Sequence, residues 1–222
     1  MQRIFHTPEG VRDIYSQECS RKQKLQEKLH RVFHQYGFED IETPTFEYFE
    51  VFSKEVGTIP SRELYKFFDR EGNTLVLRPD FTPSVSRACA TYFNPEKEVV
   101  SLCYTGNTFI NNSSFRGRLK ETTQMGVERM GDDSPEADAE ILAMTVECLL
   151  ATGLTEFQVS VGQVDYYKAI FAQTGMSQEE EEELRELISQ KNYFGVEELV
   201  KNKNMDKSLA RVLSQLPQMF GS

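Results

Sequence analysis

The stretch from Val99 to Glu128 constrains the fold most. Its first arm is rich in β-formers (Val99, Val100, Leu102, Tyr104, Phe109), and Asn111 to Gly117 supplies the Asn, Ser and Gly residues that favour turns. The returning arm alternates, with Thr123, Met125 and Val127 on one face and Gln124, Gly126 and Glu128 on the other. A long hairpin is expected. An amide and a carboxylate on one sheet face, with a residue lacking a side chain between them, make a cradle for a small molecule that carries an ammonium group. The plainer account of the same pattern is a solvated strand face.

The elements around this hairpin read in order. After the turn-rich Thr7-Pro8-Glu9-Gly10-Val11-Arg12-Asp13, apolar positions Leu25, Leu29, Val32, Phe33 and Tyr36 recur at helical spacing, and Gly37 stands where a helix ends. Phe38 to Ile41 predicts a short strand, and Pro44 breaks the ladder at an edge. Leu64–Phe68 and Thr74–Arg78 flank the turn Asp69–Asn73, a second hairpin. Asp80 and Thr82 then sit where strand passes to helix, as caps of that helix or as ligands facing a pocket. Ser134-Pro135-Glu136 opens a helix that stops at Gly153. An alternating strand, Phe157–Val161, and a helix, Gln163–Gln173, follow.

Near Gly175 the composition changes. Ser177 to Glu180 fits a capping box and opens a run of five glutamates, Glu179 to Glu183. Helical patterns recur at Val196–Leu199 and Ser208–Leu216. Two regions are therefore expected, an α/β domain over 1–174 and an all-helical module over 175–222, the acidic run being a solvated face.

Charge narrows the function. With 35 acidic and 25 basic residues, a formal net charge of −10, the chain is a poor general binder of nucleic acid or anionic membrane. No apolar run reaches signal-peptide or membrane-spanning length, which predicts a cytoplasmic protein. Cys19, Cys89, Cys103 and Cys148 show no Cys-x-x-Cys spacing and read as reduced thiols. His30 and His34 lie one helical turn apart, but no carboxylate stands in an evident ligand position, so no metal site is expected.

Taken together, the long first helix, Pro44, Leu77-Arg78-Pro79-Asp80-Phe81-Thr82, the hairpin and the helix from Pro135 resemble the catalytic core of class II aminoacyl-tRNA synthetases, specifically histidyl-tRNA synthetase. The likeness covers roughly the first 170 residues. It implies an α/β fold of the α+β type, an antiparallel sheet flanked by helices, with Pro44 at a dimer interface. It also implies that Asp80, Thr82, Gln124 and Glu128 surround a histidine-like amino acid. In such synthetases the first hairpin arm ends in Phe-Arg-x-Glu, whose Arg binds the α-phosphate of ATP and whose Glu contacts the adenine; here the corresponding run is Phe109-Ile110-Asn111-Asn112. Isoleucine has no donor and no charge, so it cannot replace a phosphate-holding guanidinium, and Asn112 supplies no carboxylate. Arg118 matches a loop arginine near the terminal phosphate.

A second family combines these features. The regulatory subunits of short-form ATP phosphoribosyltransferase resemble histidyl-tRNA synthetase and do not aminoacylate. They begin much like Thr7–Asp13 and carry a helical insertion similar to Met176–Phe220. This resemblance implies a non-catalytic subunit, without cofactor, that partners the catalytic subunit of the first step of histidine biosynthesis and takes part in histidine feedback, with no tRNA as partner. The alternatives are a divergent histidyl-tRNA synthetase and a synthetase-like adaptor that binds only protein. Neither a third class II signature nor the later glycine-rich histidine-binding motifs occur, so an N-terminal portion with an incomplete histidine pocket is expected.

Overall fold

The computed structural model describes residues 5–53, 59–112, 117–162, 164–203 and 206–215. The chain divides into two compact units, Met1–Phe157 and Gln158–Ser222. The composition had placed this division at 174/175. The earlier boundary has a packing cause, because Ile170 and Phe171 bury in one apolar cluster with Leu184, Val196, Val200 and Leu213.

In the first unit, helix α1 (Ser16–Gln35) ends at Tyr36, and Gly37 takes φ +79°, the left-handed conformation that closes a helix cheaply only with glycine. The chain turns back into β1 (Glu39–Asp40), passes Pro44, and enters β2 (Phe46–Tyr48) and the one-turn helix α2 (Glu50–Ser53). β3 (Lys66–Phe68) and β4 (Thr74–Leu77) form the expected short hairpin, with β4 central between β2 and β3 in an antiparallel sheet. Helix α3 (Thr82–Tyr92) follows.

The long hairpin is β5 (Val100–Phe109) and β6 (Glu121–Met130), paired from Val100 opposite Met130 to Phe109 opposite Glu121. Its turn region includes residues 113–116, which lie outside the described residues. β1 adds to the other edge of β5 in parallel, with Asp40 opposite Cys103, so this sheet is mixed. Its two faces bury different helices. Cys103, Met125 and Val127 pack with Val32 and Phe33 of α1 and with Met144 of α4 (Pro135–Thr152), while Leu102 and Tyr104 pack with Phe81, Val85 and Cys89 at α3. Each large apolar side chain so buried stabilises the fold by about 1.5–3 kcal/mol before ordering costs. Ser134 caps α4 by accepting from the Ala137 N–H at 3.2 Å, and Gly153 ends it.

The expected strand at Phe157–Val161 does not form. Phe157, Val159 and Val161 are exposed, and alternation yields a strand only where a neighbour completes the backbone ladder. The second unit comprises α5 (Val164–Phe171), α6 (Gln178–Ser189), α7 (Tyr193–Asn202) and α8 (Lys207–Gln215). The Ser177–Glu180 capping box is present, each partner bonding the other's backbone N–H.

Candidate functional site

Pairing across β5 and β6 decides which side chains share a face. Leu102, Tyr104 and Gly106 stand opposite Glu128, Gly126 and Gln124, and opposing residues point the same way. This face turns toward Asp80 and the start of α3. The fold thus brings the four residues together. Thr82 Oγ1 donates to Glu128 Oε1 at 2.6 Å, and Gln124 Nε2 donates to Asp80 Oδ1 at 3.0 Å. Thr82 consequently serves the strand rather than its own helix end. Asp80 also accepts the Phe81 backbone N–H at 2.8 Å, immediately before α3.

Two glycines let bulky groups cross the sheet. A Cβ on Gly106 would lie 2.7 Å from Phe81 Cζ and 2.5 Å from Arg78 Nη2. A Cβ on Gly126 would lie 2.4 Å from the Tyr104 hydroxyl oxygen and 2.6 Å from Cζ. The space over Gly126, expected from the sequence to hold a ligand, is filled by Tyr104. That ring stacks on Phe81 with centroids 4.3 Å apart and planes 8° from parallel. Its hydroxyl stands 3.5 Å from Gln124 Nε2.

Above Phe81 lies the Arg78 guanidinium, 4.0 Å from the ring centroid. Arg78 is buried, and it donates to backbone carbonyls: Nε to Asn107 at 2.8 Å, Nη1 to Thr43 at 2.9 Å and to Pro44 at 3.4 Å. Burial lowers its pKa. Arg78, Phe81 and Tyr104 therefore form one stack, and Tyr104 was the part missed in the sequence. The glycine opposite it in the returning arm was its only signal.

Electrostatically the site is acidic. Among the described residues, none of the ion pairs includes Asp80 or Glu128. Burial pushes the Glu128 carboxyl above its ordinary range; the Thr82 hydroxyl pulls it back, and the Asp80 charge adds to the rise. Tyr104 is raised for the same reasons, burial first, then the charges of Glu128 and Asp80. Partly desolvated carboxylates met by neutral donors suit a cation, since an ammonium group relieves the penalty that burial imposes.

The far end of the hairpin differs. The Ile110 N–H bonds the Lys120 carbonyl at 2.9 Å, Asn112 Nδ2 donates to the Leu119 carbonyl at 3.2 Å, and Arg118 is exposed. Pro44 is exposed between β1 and β2, at the break expected of it. The histidine pair departs from expectation, because the turn at Gly37 brings the Asp40 carboxylate against both rings.

A family model for histidyl-tRNA synthetase matches residues 10–222. The ATP phosphoribosyltransferase regulatory subunit of Acetivibrio thermocellus is 42% identical over 218 residues, which cover 98% of this chain and 52% of that protein. The corresponding protein of Ruminiclostridium cellulolyticum is 40% identical over the same shares. The chain thus spans about half the length of these curated relatives. Among solved structures, an ATP phosphoribosyltransferase regulatory subunit/histidyl-tRNA synthetase from Bacillus halodurans matches with a TM-score of 0.83 at 32% identity, covering 96% of this chain and 55% of that one. Apo histidyl-tRNA synthetase from S. aureus matches with 0.54 at 27% identity, over 68% and 40%. By these matches and its class II architecture, the chain belongs to the histidyl-tRNA synthetase family.

Proposed function

We propose that the protein is a non-catalytic regulatory subunit that activates short-form ATP phosphoribosyltransferase, the first step of histidine biosynthesis, and takes part in feedback by histidine. One contrast carries the proposal. Asp80, Thr82, Gln124 and Glu128 converge as an acidic, partly buried group suited to an α-ammonium, whereas the arm that would hold ATP ends in Ile110 and Asn112. Losing one charged transition-state donor typically costs on the order of a hundredfold or more in rate, so binding persists where adenylate chemistry does not. The names of the relatives from A. thermocellus and R. cellulolyticum support the same assignment.

The expected partner is the catalytic subunit of that transferase, with self-association through the surface around Pro44. Phe46 and Tyr48 are exposed on β2, and Phe46 meets Phe67 edge-on at 5.7 Å, an apolar surface of the kind that interfaces cover. Arg118 would meet a phosphate or other anion at the hairpin's far end. No cofactor or tRNA enters this function, and it belongs in the cytoplasm.

Feedback requires histidine to favour one state of the complex over the other, by an energy equal to its difference in affinity for them. The test is phosphoribosyl-ATP formation by the catalytic subunit, alone and with the whole protein, at rising histidine. Activation that histidine reverses is expected, along with no histidine-dependent exchange of pyrophosphate into ATP. Unchanged activity on adding the protein would sink the proposal. Calorimetry then locates the ligand: Glu128→Ala should abolish the histidine heat, and binding that survives places the pocket elsewhere.

A further inference from the structure

Away from the amino-acid site, on the opposite face of the β1-β5-β6 sheet, four side chains with lone pairs converge. His30 and His34 project from successive turns of α1, and Asp40 and Cys103 are opposite one another where β1 pairs with β5. His30 Nε2 lies 2.5 Å from Asp40 Oδ1, His34 Nε2 lies 3.0 Å from Asp40 Oδ2, and the Cys103 thiol donates to Asp40 Oδ1 at 3.5 Å. The two imidazole centroids are 4.1 Å apart. One ligand atom from each of the four residues falls within 4.8 Å of every other.

We propose that His30, His34, Asp40 and Cys103 form a binding site for a divalent metal ion of the zinc type. Two imidazoles, a carboxylate and a thiolate are the donor set of a tetrahedral zinc site. With bonds of about 2.0 Å to nitrogen and oxygen and about 2.3 Å to sulfur, neighbouring ligands stand ~3.3–3.5 Å apart. To admit the ion the 2.5 Å His30–Asp40 contact would open by roughly 0.8 Å and the 3.0 Å His34–Asp40 contact by about 0.3 Å, the 3.5 Å Cys103–Asp40 contact already fits, and the wider pairs, up to 4.8 Å, would close by about 1 Å. The exposed imidazoles on α1 and the Asp40 carboxylate can turn about their side-chain bonds to make that change.

Hydrogen bonding alone explains His30, His34 and Asp40, because a carboxylate between two imidazoles can accept a ring N–H from each. Cys103 is the group it leaves over. The thiol is fully buried, yet it points at the one carboxylate the two histidines share. Binding a metal ion displaces the thiol proton, which leaves to solvent. A dication held by one carboxylate and one thiolate is neutralised by its ligands, so the buried sulfur keeps no uncompensated charge. Each histidine meets the metal through an Nε2 lone pair, its ring proton then lying on Nδ1, and the contacts to Asp40 are exchanged for bonds to the ion. Access is open, since His30, His34 and Asp40 are each 40–58% exposed, and a cavity of about 530 Å³ lined in part by His30, Asp40 and Glu42 adjoins the cluster.

The test uses untagged protein stripped of metal with a chelator. Zinc is titrated in competition with a chromophoric chelator, and cobalt is substituted as a spectroscopic probe. One zinc per chain is expected, with a thiolate-to-cobalt charge-transfer band in the near ultraviolet. His34→Ala, at an exposed position, should weaken zinc on the order of a hundredfold while the circular dichroism spectrum is unchanged. Cys103→Ser should remove the cobalt band, and His30→Ala should weaken zinc as His34→Ala does. Absence of stoichiometric zinc, or zinc affinity unaltered in both histidine variants, would leave only a hydrogen-bonded pair and overturn the site. So would a cobalt band that persists in Cys103→Ser.

Discussion

Gly126→Ala tests the most specific feature of the candidate site, the passage of Tyr104 over a strand position without a side chain. The added Cβ would lie 2.4 Å from the Tyr104 oxygen, 2.6 Å from Cζ and 3.0 Å from Cε2, against an ordinary contact of about 3.5 Å. The ring must retreat by roughly 1 Å. It is not free to do so, being 5% exposed and stacked flat on Phe81, which is itself 1% exposed beneath Arg78. Overpacking of this kind costs about 1–3 kcal/mol, and loss of the stack adds ~0.5–1.5 kcal/mol. Tyr104→Ala alone should cost about 3–5 kcal/mol, as for a buried aromatic ring. In the double variant the clash is gone, so Tyr104→Ala should cost less by the overpacking energy, giving a coupling of ~1–3 kcal/mol in a double-mutant cycle. Tyr104→Phe should not relieve Gly126→Ala, because Cζ and Cε2 remain. The measurement is urea denaturation followed by circular dichroism, with the slope required to stay constant. Effects that add to within about 0.5 kcal/mol would refute the stacking argument.

Two further outcomes follow from the same stack. Arg78→Met removes the donor from the Thr43 and Asn107 carbonyls, and the longer bond to Pro44, leaving at least two acceptors that each cost ~1–3 kcal/mol when unsatisfied, while the methionine avoids the cost of burying a cation. A net loss of about 2–4 kcal/mol of stability, read from urea denaturation, is expected, and a neutral result would show that water replaces the guanidinium. Glu128→Gln should be more stable than the parent at neutral pH and equal to it in acid. The raised pKa means that the folded state binds the Glu128 proton more tightly than the unfolded state does. The resulting stability is complete below the ordinary glutamate value and is lost as pH rises through the raised one. Urea midpoints from acid to neutral pH measure the gap, and a gap that does not close on acidification contradicts the burial account.

The fold was legible wherever a local rule and the tertiary environment agreed. The β6 alternation separates two faces buried against different helices, so Met125 and Val127 inside one core and Gln124 and Glu128 in the site were readable as a period of two. The Ser177–Glu180 capping box is a four-residue rule and survives any packing. Where a partner had to be supplied from elsewhere, local rules failed. Phe157–Val161 alternates but joins no ladder among the described residues, and Ile170 and Phe171 belong with helices beyond the acidic run because they bury there.

The candidate sites failed in the same way, at their long-range members. Thr82 and Glu128 are 46 residues apart and Asp80 and Gln124 are 44 apart, so nothing in their spacing joins them; the family resemblance did. Asp40 lies only six residues from His34, but its approach depends on the left-handed turn at Gly37, and Cys103 arrives 63 residues later through strand pairing. Gly126 shows most sharply what register adds. A glycine within a strand signals that something passes close, but not whether a ligand or the protein itself fills the gap. Pairing it with Tyr104 fills the gap from within and moves the acidic groups to the rim of an aromatic stack. An ammonium-bearing ligand would meet Asp80 and Glu128 beside Tyr104, where Gln124 and the Phe81 N–H hold one carboxylate and Thr82 the other before the ligand arrives.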